Sequence, residues 1–398
     1  MSTTHDPTRH VNYLQQCLSQ DKRSIGVFLA AGCPVSIRVP AGGGTEPLIP
    51  DVQGLTDLVT AEVRAGANAA AFEKVLRHLT DDGHALINVE TQLSFIRGLK
   101  AIAGSGQVRD LEVADLTSLE ETICSCIGER VDRALPDGEN PYSHMAAWIG
   151  STNRSEPVEL FTTNYDLLAE QALERFRIPY FDGFSGSKDA FLDSHSIDHD
   201  ELPPRWARLW KLHGSINWSL NAAKKVSRGG TSISKCIIHP SHLKYDESRR
   251  MPYLAMIDRL RSFIQKPSSV LVVCGYSFRD EHLNACLLEG LTGSPRSAVF
   301  GLLYGNIIDY PEAAKLAITA GNLSLMARDG AIIGTRSGSW DNRDPGDAAI
   351  WAGAVELAPG AAGSTAQVAT FHLGDFTRLG RFLTALIGRE FPGGSHAV

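Results

Sequence analysis

The chain has 398 residues, a formal net charge of −7, and 43% hydrophobic against 21% charged residues. This composition is typical of a folded chain with a sizeable core and excludes a largely disordered protein. The acidic balance gives no reason to expect a broad nucleic-acid surface, although it leaves room for a local basic patch such as Arg249, Arg250, Arg259 and Arg261. No apolar run approaches the about 18 residues of a transmembrane helix. We expect two or three packed units that act in the cytoplasm, with no signal peptide, membrane contact or direct nucleic-acid binding.

The seven cysteines are scattered and odd in number, which argues against a disulfide framework. The only close pair, Cys124 and Cys126, lies in a helical pattern, where side chains two positions apart point to different faces. That pair is a poor chelator, and no second close pair completes a four-thiolate site. We therefore expect no zinc and no other structural metal.

The first part of the chain predicts one buried strand followed by helices. A helix is predicted over residues 11–20, and the short apolar run at 24–31 is typical of a parallel strand buried on both faces. Residues 32–50 are rich in Gly and Pro and predict a loop. From 51 to 150 apolar residues recur at helical spacing, which indicates a helical insertion after the first strand.

Strands then alternate with helices. Further strands are predicted at residues 158–161, 208–212, 236–239, 269–274 and 298–304. Helices are expected after Asp166 and from Asp280, and each strand ends in a polar or Gly-containing turn. This alternation predicts an α/β fold with a Rossmann-like open parallel sheet.

The last part of the chain predicts a C-terminal α/β extension. Residues 323–326 and 331–333 flank an Asp-Gly turn and predict a hairpin, whereas 335–365 read as a loop. Asp375 is a candidate cap for a final helix with apolar residues at helical spacing. This extension either provides an assembly surface or completes the core.

These patterns divide the chain into three parts. Residues 1–50 and 151–310 are expected to form a nucleotide-binding core. The helical insertion takes 51–150, and the C-terminal extension takes 311–398.

Four turns at predicted strand ends carry the residues of chemical interest. Because the carboxyl ends of parallel strands form the ligand crevice of an open sheet, these turns are expected to converge. They are residues 30–36, residues 162–166, the pair His213-Gly214, and residues 275–277. Taken singly, each is typical of an ordinary strand exit or a helix cap.

Together and in this order, the four turns resemble the SIR2-like family of sirtuin-fold proteins. That family carries a Gly-Ala-Gly turn, a Thr-x-Asn-x-Asp turn, a His-Gly pair and a Gly-x-Ser turn, and the order is kept here over about residues 24–290. The segment 275–284 looks especially like the SIR2-like proteins of bacterial antiphage defence.

The resemblance implies a site for NAD+, bound as a substrate. By resemblance, its contacts come from Ala31, Gly32, Thr163, Gly275 and Ser277. Small residues let the backbone approach a pyrophosphate and donate N–H groups to it. The chain departs from the family pattern at Ala30, where a Gly is usual, and at Pro34, which removes a donor. Ser36 is either the family's hydroxyl, displaced, or a plain loop residue.

The resemblance also implies three catalytic residues. His213 would be the base that acts on a ribose hydroxyl or on water, a role that suits an imidazole with a pKa near ~6.5. Asn164 would position the ribose or the attacking water. Asp166 would orient the site or stabilise charge, and it could equally cap the helix that follows.

The absence of any CxxC pair separates the chain from the deacylating sirtuins, which usually carry a zinc ribbon. Water is then the simplest acceptor, so we expect an NAD+ hydrolase that yields nicotinamide and ADP-ribose and depletes NAD+ in antiphage defence. The resemblance further implies a homo-oligomer gated by a separately encoded sensor, for example a HerA-type ATPase. The alternatives are a protein deacylase or ADP-ribosyltransferase, and a nucleotide-sensing module without catalysis.

Overall fold

The computed structural model describes residues 3–151, 154–220, 225–229, 252–341, 353–359 and 367–388. The predicted strand at 236–239 lies outside the described residues. The helices, in chain order, are α1 (Pro7–Leu18), α2 (Gly32–Val35), α3 (Val52–Ala65), α4 (Ala69–Asp81), α5 (Val89–Ala103), α6 (Val113–Val131), α7 (Pro141–Ser151), α8 (Leu168–Arg175), α9 (Ser194–His199), α10 (Tyr253–Gln265), α11 (Glu281–Gly293), α12 (Pro311–Thr319) and α13 (Phe376–Ala385).

Ten strands form one large sheet. In chain order they are β1 (Thr4–His5), β2 (Ile25–Leu29), β7 (Val158–Thr162), β8 (Tyr180–Phe181), β11 (Ala207–Lys211), β14 (Val270–Cys274), β15 (Ala298–Leu302), β16 (Leu323–Met326), β17 (Gly330–Ile333) and β18 (Arg336–Trp340). Short hairpins and ribbons use the others: β3 (Arg38–Ala41), β4 (Gly44–Pro47), β5 (Gln107–Val108), β6 (Leu111–Glu112), β9 (Phe184–Ser185), β10 (Ala190–Leu192), β12 (Trp218–Leu220), β13 (Val226–Arg228), β19 (Val355–Pro359) and β20 (Gln367–Phe371).

The sheet order is β1-β18-β17-β16-β15-β14-β2-β7-β11-β8, and all pairs from β16 to β8 are parallel. The chain runs outward from β2 through β7 to β11, then restarts on the other side of β2 with β14. This reversal is the topological switch point at which open α/β sheets bind ligands. The prediction of a mixed α/β fold with a Rossmann-like open sheet is confirmed.

The central strands are buried on both faces, as their continuous apolar sequences predict. Along β2, Val27 and Leu29 belong to one apolar cluster and Phe28 to the other. The first cluster also contains the buried residues of α3 to α6, so the helical insertion packs on one face of the sheet. The three-part division of the chain remains a proposal.

The C-terminal extension completes the core. The hairpin of β16 and β17 extends the main sheet, and α13 packs against α7. The rings of Tyr142 and Phe376 lie 5.0 Å apart, and His144 Nδ1 lies 2.7 Å from Thr384 Oγ1. The apolar face of α13 is therefore occupied within the chain, and an assembly surface on the extension stays a prediction.

Two loop predictions were wrong. Residues 335–365 contain β18, which pairs antiparallel with β17, and β19, which pairs with β20. Residues 32–50 contain α2 and the hairpin of β3 and β4. Gly- and Ser-rich segments have little strand propensity of their own, and here the pairing partner supplies the order.

Candidate functional site

The four turns leave four adjacent strands at the same edge of the sheet. The order β14-β2-β7-β11 places the exits of these strands side by side. Backbone bonds join them directly: Ala30 N–H donates to the Cys274 carbonyl, and Leu212 N–H donates to the Thr162 carbonyl. The predicted site residues therefore share one edge, at the switch point of the sheet.

The two glycine turns touch each other at the switch point. Gly32 N–H donates to the Gly275 carbonyl over 2.9 Å, and a Cβ on Gly32 would lie 2.8 Å from Gly275 Cα. Gly275 has φ +71°, and a Cβ there would lie 2.6 Å from Cys33 N. Both positions therefore require glycine. Because the Gly32 amide already bonds Gly275, its predicted contact with a pyrophosphate stays a prediction.

The other three predicted contact residues are also placed at this edge. Ala31 precedes the short helix α2, and Thr163 N–H donates to the Leu29 carbonyl over 3.3 Å. Ser277 is exposed on the turn after β14. Their roles toward a ligand stay predictions.

Asn164 is held at the end of β7 with a fixed orientation. Its backbone N–H donates to Thr162 Oγ1 over 3.0 Å, and its side-chain Nδ2 donates to the Ala30 carbonyl over 3.3 Å. The hydroxyl of buried Tyr142, on α7, lies near Asn164 without a hydrogen bond of good geometry. Burial raises the pKa of Tyr142 well above its ordinary value, so this hydroxyl stays protonated.

Asp166 lies beneath this turn in a buried charge cluster with Lys211 and Glu170. Asp166 Oδ1 accepts the N–H of Leu168, the first residue of α8, over 2.9 Å, although the N-cap position itself is Leu167. Lys211 Nζ donates to the backbone carbonyl of Asp166 and lies 2.9 Å from Glu170 Oε1. Burial raises the pKa of both carboxyls, and the Lys211 charge opposes that rise.

His213 is paired with Asp280, an acid that the sequence placed only at the start of a helix. His213 Nε2 lies 3.2 Å from Asp280 Oδ2, while Asp280 Oδ1 accepts the N–H groups of His282 and Leu283. A carboxylate only accepts, so this contact favours the tautomer with the proton on Nε2, which leaves the Nδ1 lone pair available. The pair also joins the turn after β11 to the loop after β14, across the ends of β2 and β7.

Two tyrosines inside the motifs complete the edge. The Tyr165 hydroxyl donates to Glu90 Oε1 over 3.2 Å, and the Tyr276 hydroxyl donates to Asn284 Oδ1 over 3.0 Å. Glu90 and Asp280 were missed because nothing local marks them: their partners are 75 and 67 residues away (165 − 90; 280 − 213).

The arrangement can orient and deprotonate a hydroxyl. The oriented His213 imidazole, with an available lone pair, and the fixed Asn164 carboxamide stand on adjacent strand ends. Beside them is a glycine turn of the type that lets the protein backbone approach a nucleotide. Within the described ranges, no group of three or more His, Cys, Asp or Glu side chains could hold a metal ion. In the same part of the chain, no helix combines the length and apolarity needed to cross a membrane.

Comparison with known proteins gives one family match. No curated protein matches the chain. A solved structure described as "Structural Basis for the Mechanism and Regulation of Sir2 Enzymes" is 10% identical, with a TM-score of 0.36 over 74% of this chain and 85% of that one. A similarity this low assigns no residue a role. The family model of the SIR2-like domain matches residues 158–315, which include β7, β11 and β14 and three of the four turns. This central stretch of the chain is therefore similar to a SIR2-like domain.

Proposed function

We propose that the chain is an enzyme that hydrolyses NAD+ to nicotinamide and ADP-ribose. The observation that carries the proposal is the placement of Asn164 and the His213–Asp280 pair on neighbouring strand ends, beside the glycine turns of the switch point. The match of residues 158–315 to a SIR2-like domain supports NAD+ as the substrate.

The residues divide the work in a way that the reaction requires. Cleavage of the nicotinamide–ribose bond builds positive charge on the ribose, and the leaving group departs neutral without needing an acid. Asn164 orients the ribose through its carboxamide, and His213 Nδ1 accepts a proton from a ribose hydroxyl. Asp280 holds the imidazole in the required tautomer and stabilises its protonated form.

The proposed biological role is depletion of NAD+ in antiphage defence. This role rests on the resemblance of segment 275–284 to SIR2-like defence proteins. The same resemblance implies that the chain forms a homo-oligomer and is controlled by a separately encoded sensor such as a HerA-type ATPase. A protein that destroys a central metabolite needs such control. Expression during phage infection tests this role: cellular NAD+ should fall in cells with the wild-type chain and stay constant with His213→Ala.

The biochemical test is nicotinamide release by the purified chain, with and without an acyl-lysine peptide. We expect release without peptide, and a loss of at least about 10³-fold in Asn164→Ala and His213→Ala. His282→Ala is the matched control, because this exposed histidine lies next to the same loop and should keep full turnover. Dependence on the peptide would indicate a transferase instead, and binding without turnover a sensor. Retained turnover in His213→Ala would reject the role of this residue.

A further inference from the structure

Glu90 enters the site from the helical insertion. It stands in the first turn of α5, whose start is fixed by several bonds: Asn88 Oδ1 accepts the Thr91 N–H over 2.9 Å, and Val89 N–H donates to Thr56 Oγ1 over 3.1 Å. A carboxylate on so constrained a turn has a defined position. The insertion thus contributes a charged group to an edge that is otherwise built from strand exits.

One chain of contacts joins Glu90 to the His213 turn. Tyr165 donates its hydroxyl to Glu90, and the Tyr165 carbonyl accepts the Ile216 N–H over 3.0 Å. Ile216 lies three residues after His213, on the same turn. Burial and then the Glu90 charge raise the pKa of Tyr165, so its hydroxyl remains a donor.

Tyr276 lies on the other side of the same histidine. Burial and then the Asp280 charge raise the pKa of Tyr276, and the Glu90 charge adds a smaller rise. The Tyr276 hydroxyl lies 3.2 Å from the Asp280 carbonyl, and the Asp280 carboxylate pairs with His213. Through the Tyr165 hydroxyl, Glu90 is joined to the turn that carries Asn164 and, through the Ile216 N–H, to the turn that carries His213.

The Glu90 carboxylate can accept more hydrogen bonds than it receives from the described residues. A carboxylate can accept about four hydrogen bonds. In the described part of the chain, Glu90 receives one from Tyr165 and has no cationic partner within ion-pair distance. Its neighbour on α5, Arg97, is paired with Glu120 instead. A half-buried carboxylate without a counter-ion suits a site where positive charge develops.

We propose that Glu90 is the base that activates water in the hydrolysis, a role that rests on the proposed function. The C1′–N bond breaks first and its electron pair returns to the nicotinamide ring, and the water oxygen then forms a bond to ribose C1′. The water proton passes to the Glu90 carboxylate and then to solvent. His213 holds the proton of the ribose hydroxyl and returns it once water has added, so each turnover releases one proton, through Glu90.

The test separates bond cleavage from capture by water. Glu90→Gln in the full chain should lower ADP-ribose formation by about 10²-fold or more, because Gln cannot take a proton. Cleavage itself does not need the water base, so labelled nicotinamide should still exchange into NAD+. The ratio of exchange to hydrolysis should therefore rise at least about 10-fold, whereas a general loss of structure would lower both rates together.

Glu121→Gln is the matched control, since this exposed glutamate lies on α6 of the same insertion. It should change neither rate, and the melting temperatures of both variants should equal that of the wild type. An unchanged exchange ratio in Glu90→Gln, with or without a loss of hydrolysis, overturns the inference. If the wild type neither releases nicotinamide when purified nor lowers NAD+ in phage-infected cells, the proposed function itself fails, which is a different result.

Discussion

The two ends of strands β7 and β11 both carry buried charges but balance them differently. At the amino end, Glu159 is fully buried, accepts the Trp210 indole N–H over 2.8 Å and lies 2.7 Å from Lys266 Nζ. Arg208, next to it on β11, pairs with Asp200, and Arg259 approaches both acids. Each acid there meets two cations.

At the carboxyl end the acids outnumber the cations. Asp166 and Glu170 share only Lys211, and Glu170 Oε2 has no hydrogen-bond partner within the described residues. The pKa of each of these carboxyls is raised by burial, which the Lys211 charge does not fully offset. At one edge each acid meets two cations, whereas at the other edge two buried acids share one cation, an imbalance typical of functional sites.

The largest effect expected from this difference follows Lys211→Met. The substitution leaves two buried carboxyls without a counter-charge and should lower the free energy of unfolding by about 3–5 kcal/mol. Turnover per folded molecule should also fall, because the Asp166 carbonyl and the Asn164 turn lose their support. Urea unfolding and nicotinamide release measure the two effects. A loss of less than about 1 kcal/mol would show that the cluster is not electrostatically coupled.

At the other end, Glu159→Gln should affect stability alone. It keeps an acceptor for the Trp210 indole but removes the charge beside Lys266 and Arg259. The free energy of unfolding should fall by about 2–3 kcal/mol, a modest loss because Lys266 is partly exposed. The rate of nicotinamide release per folded molecule should equal that of the wild type. A fall in that rate would couple the amino end to the site and break the distinction between the two edges.

The smallest effect is a pH dependence that Glu170→Gln should remove. Since the folded-state pKa of Glu170 is raised, the unfolded chain ionises first, near its ordinary value of 4.5. Glu170 should therefore contribute its full stabilisation below pH 4.5. That contribution to the free energy of unfolding should fall as the pH rises toward the folded-state pKa. Unfolding curves between pH 4 and 7 should show a smaller fall in the free energy of unfolding for the variant than for the wild type. An equal or larger fall in the variant would contradict the direction of the shift.

The sequence predicted the elements that local patterns dictate. The continuous apolar runs of β2, β7 and β14 and the Asp375 cap of α13 are where they were expected. The strands β18 and β19 were missed because their order comes from pairing partners and not from their own side chains.

The site shows the same limit. Asn164, His213 and the glycine turns follow strand ends and are visible as motifs, whereas Asp280 and Glu90 acquire a role only through partners far away in the chain. Long-range pairing of side chains depends on strand order, which the sequence pattern does not encode directly.

A crystal structure of the His213→Ala variant with bound NAD+ tests the placement of the substrate most directly. We expect the nicotinamide ribose within hydrogen-bonding distance of the Asn164 carboxamide, and the pyrophosphate over the turns of Gly32 and Gly275. A dinucleotide bound at the amino ends of the strands, or anywhere away from Asn164, would contradict it.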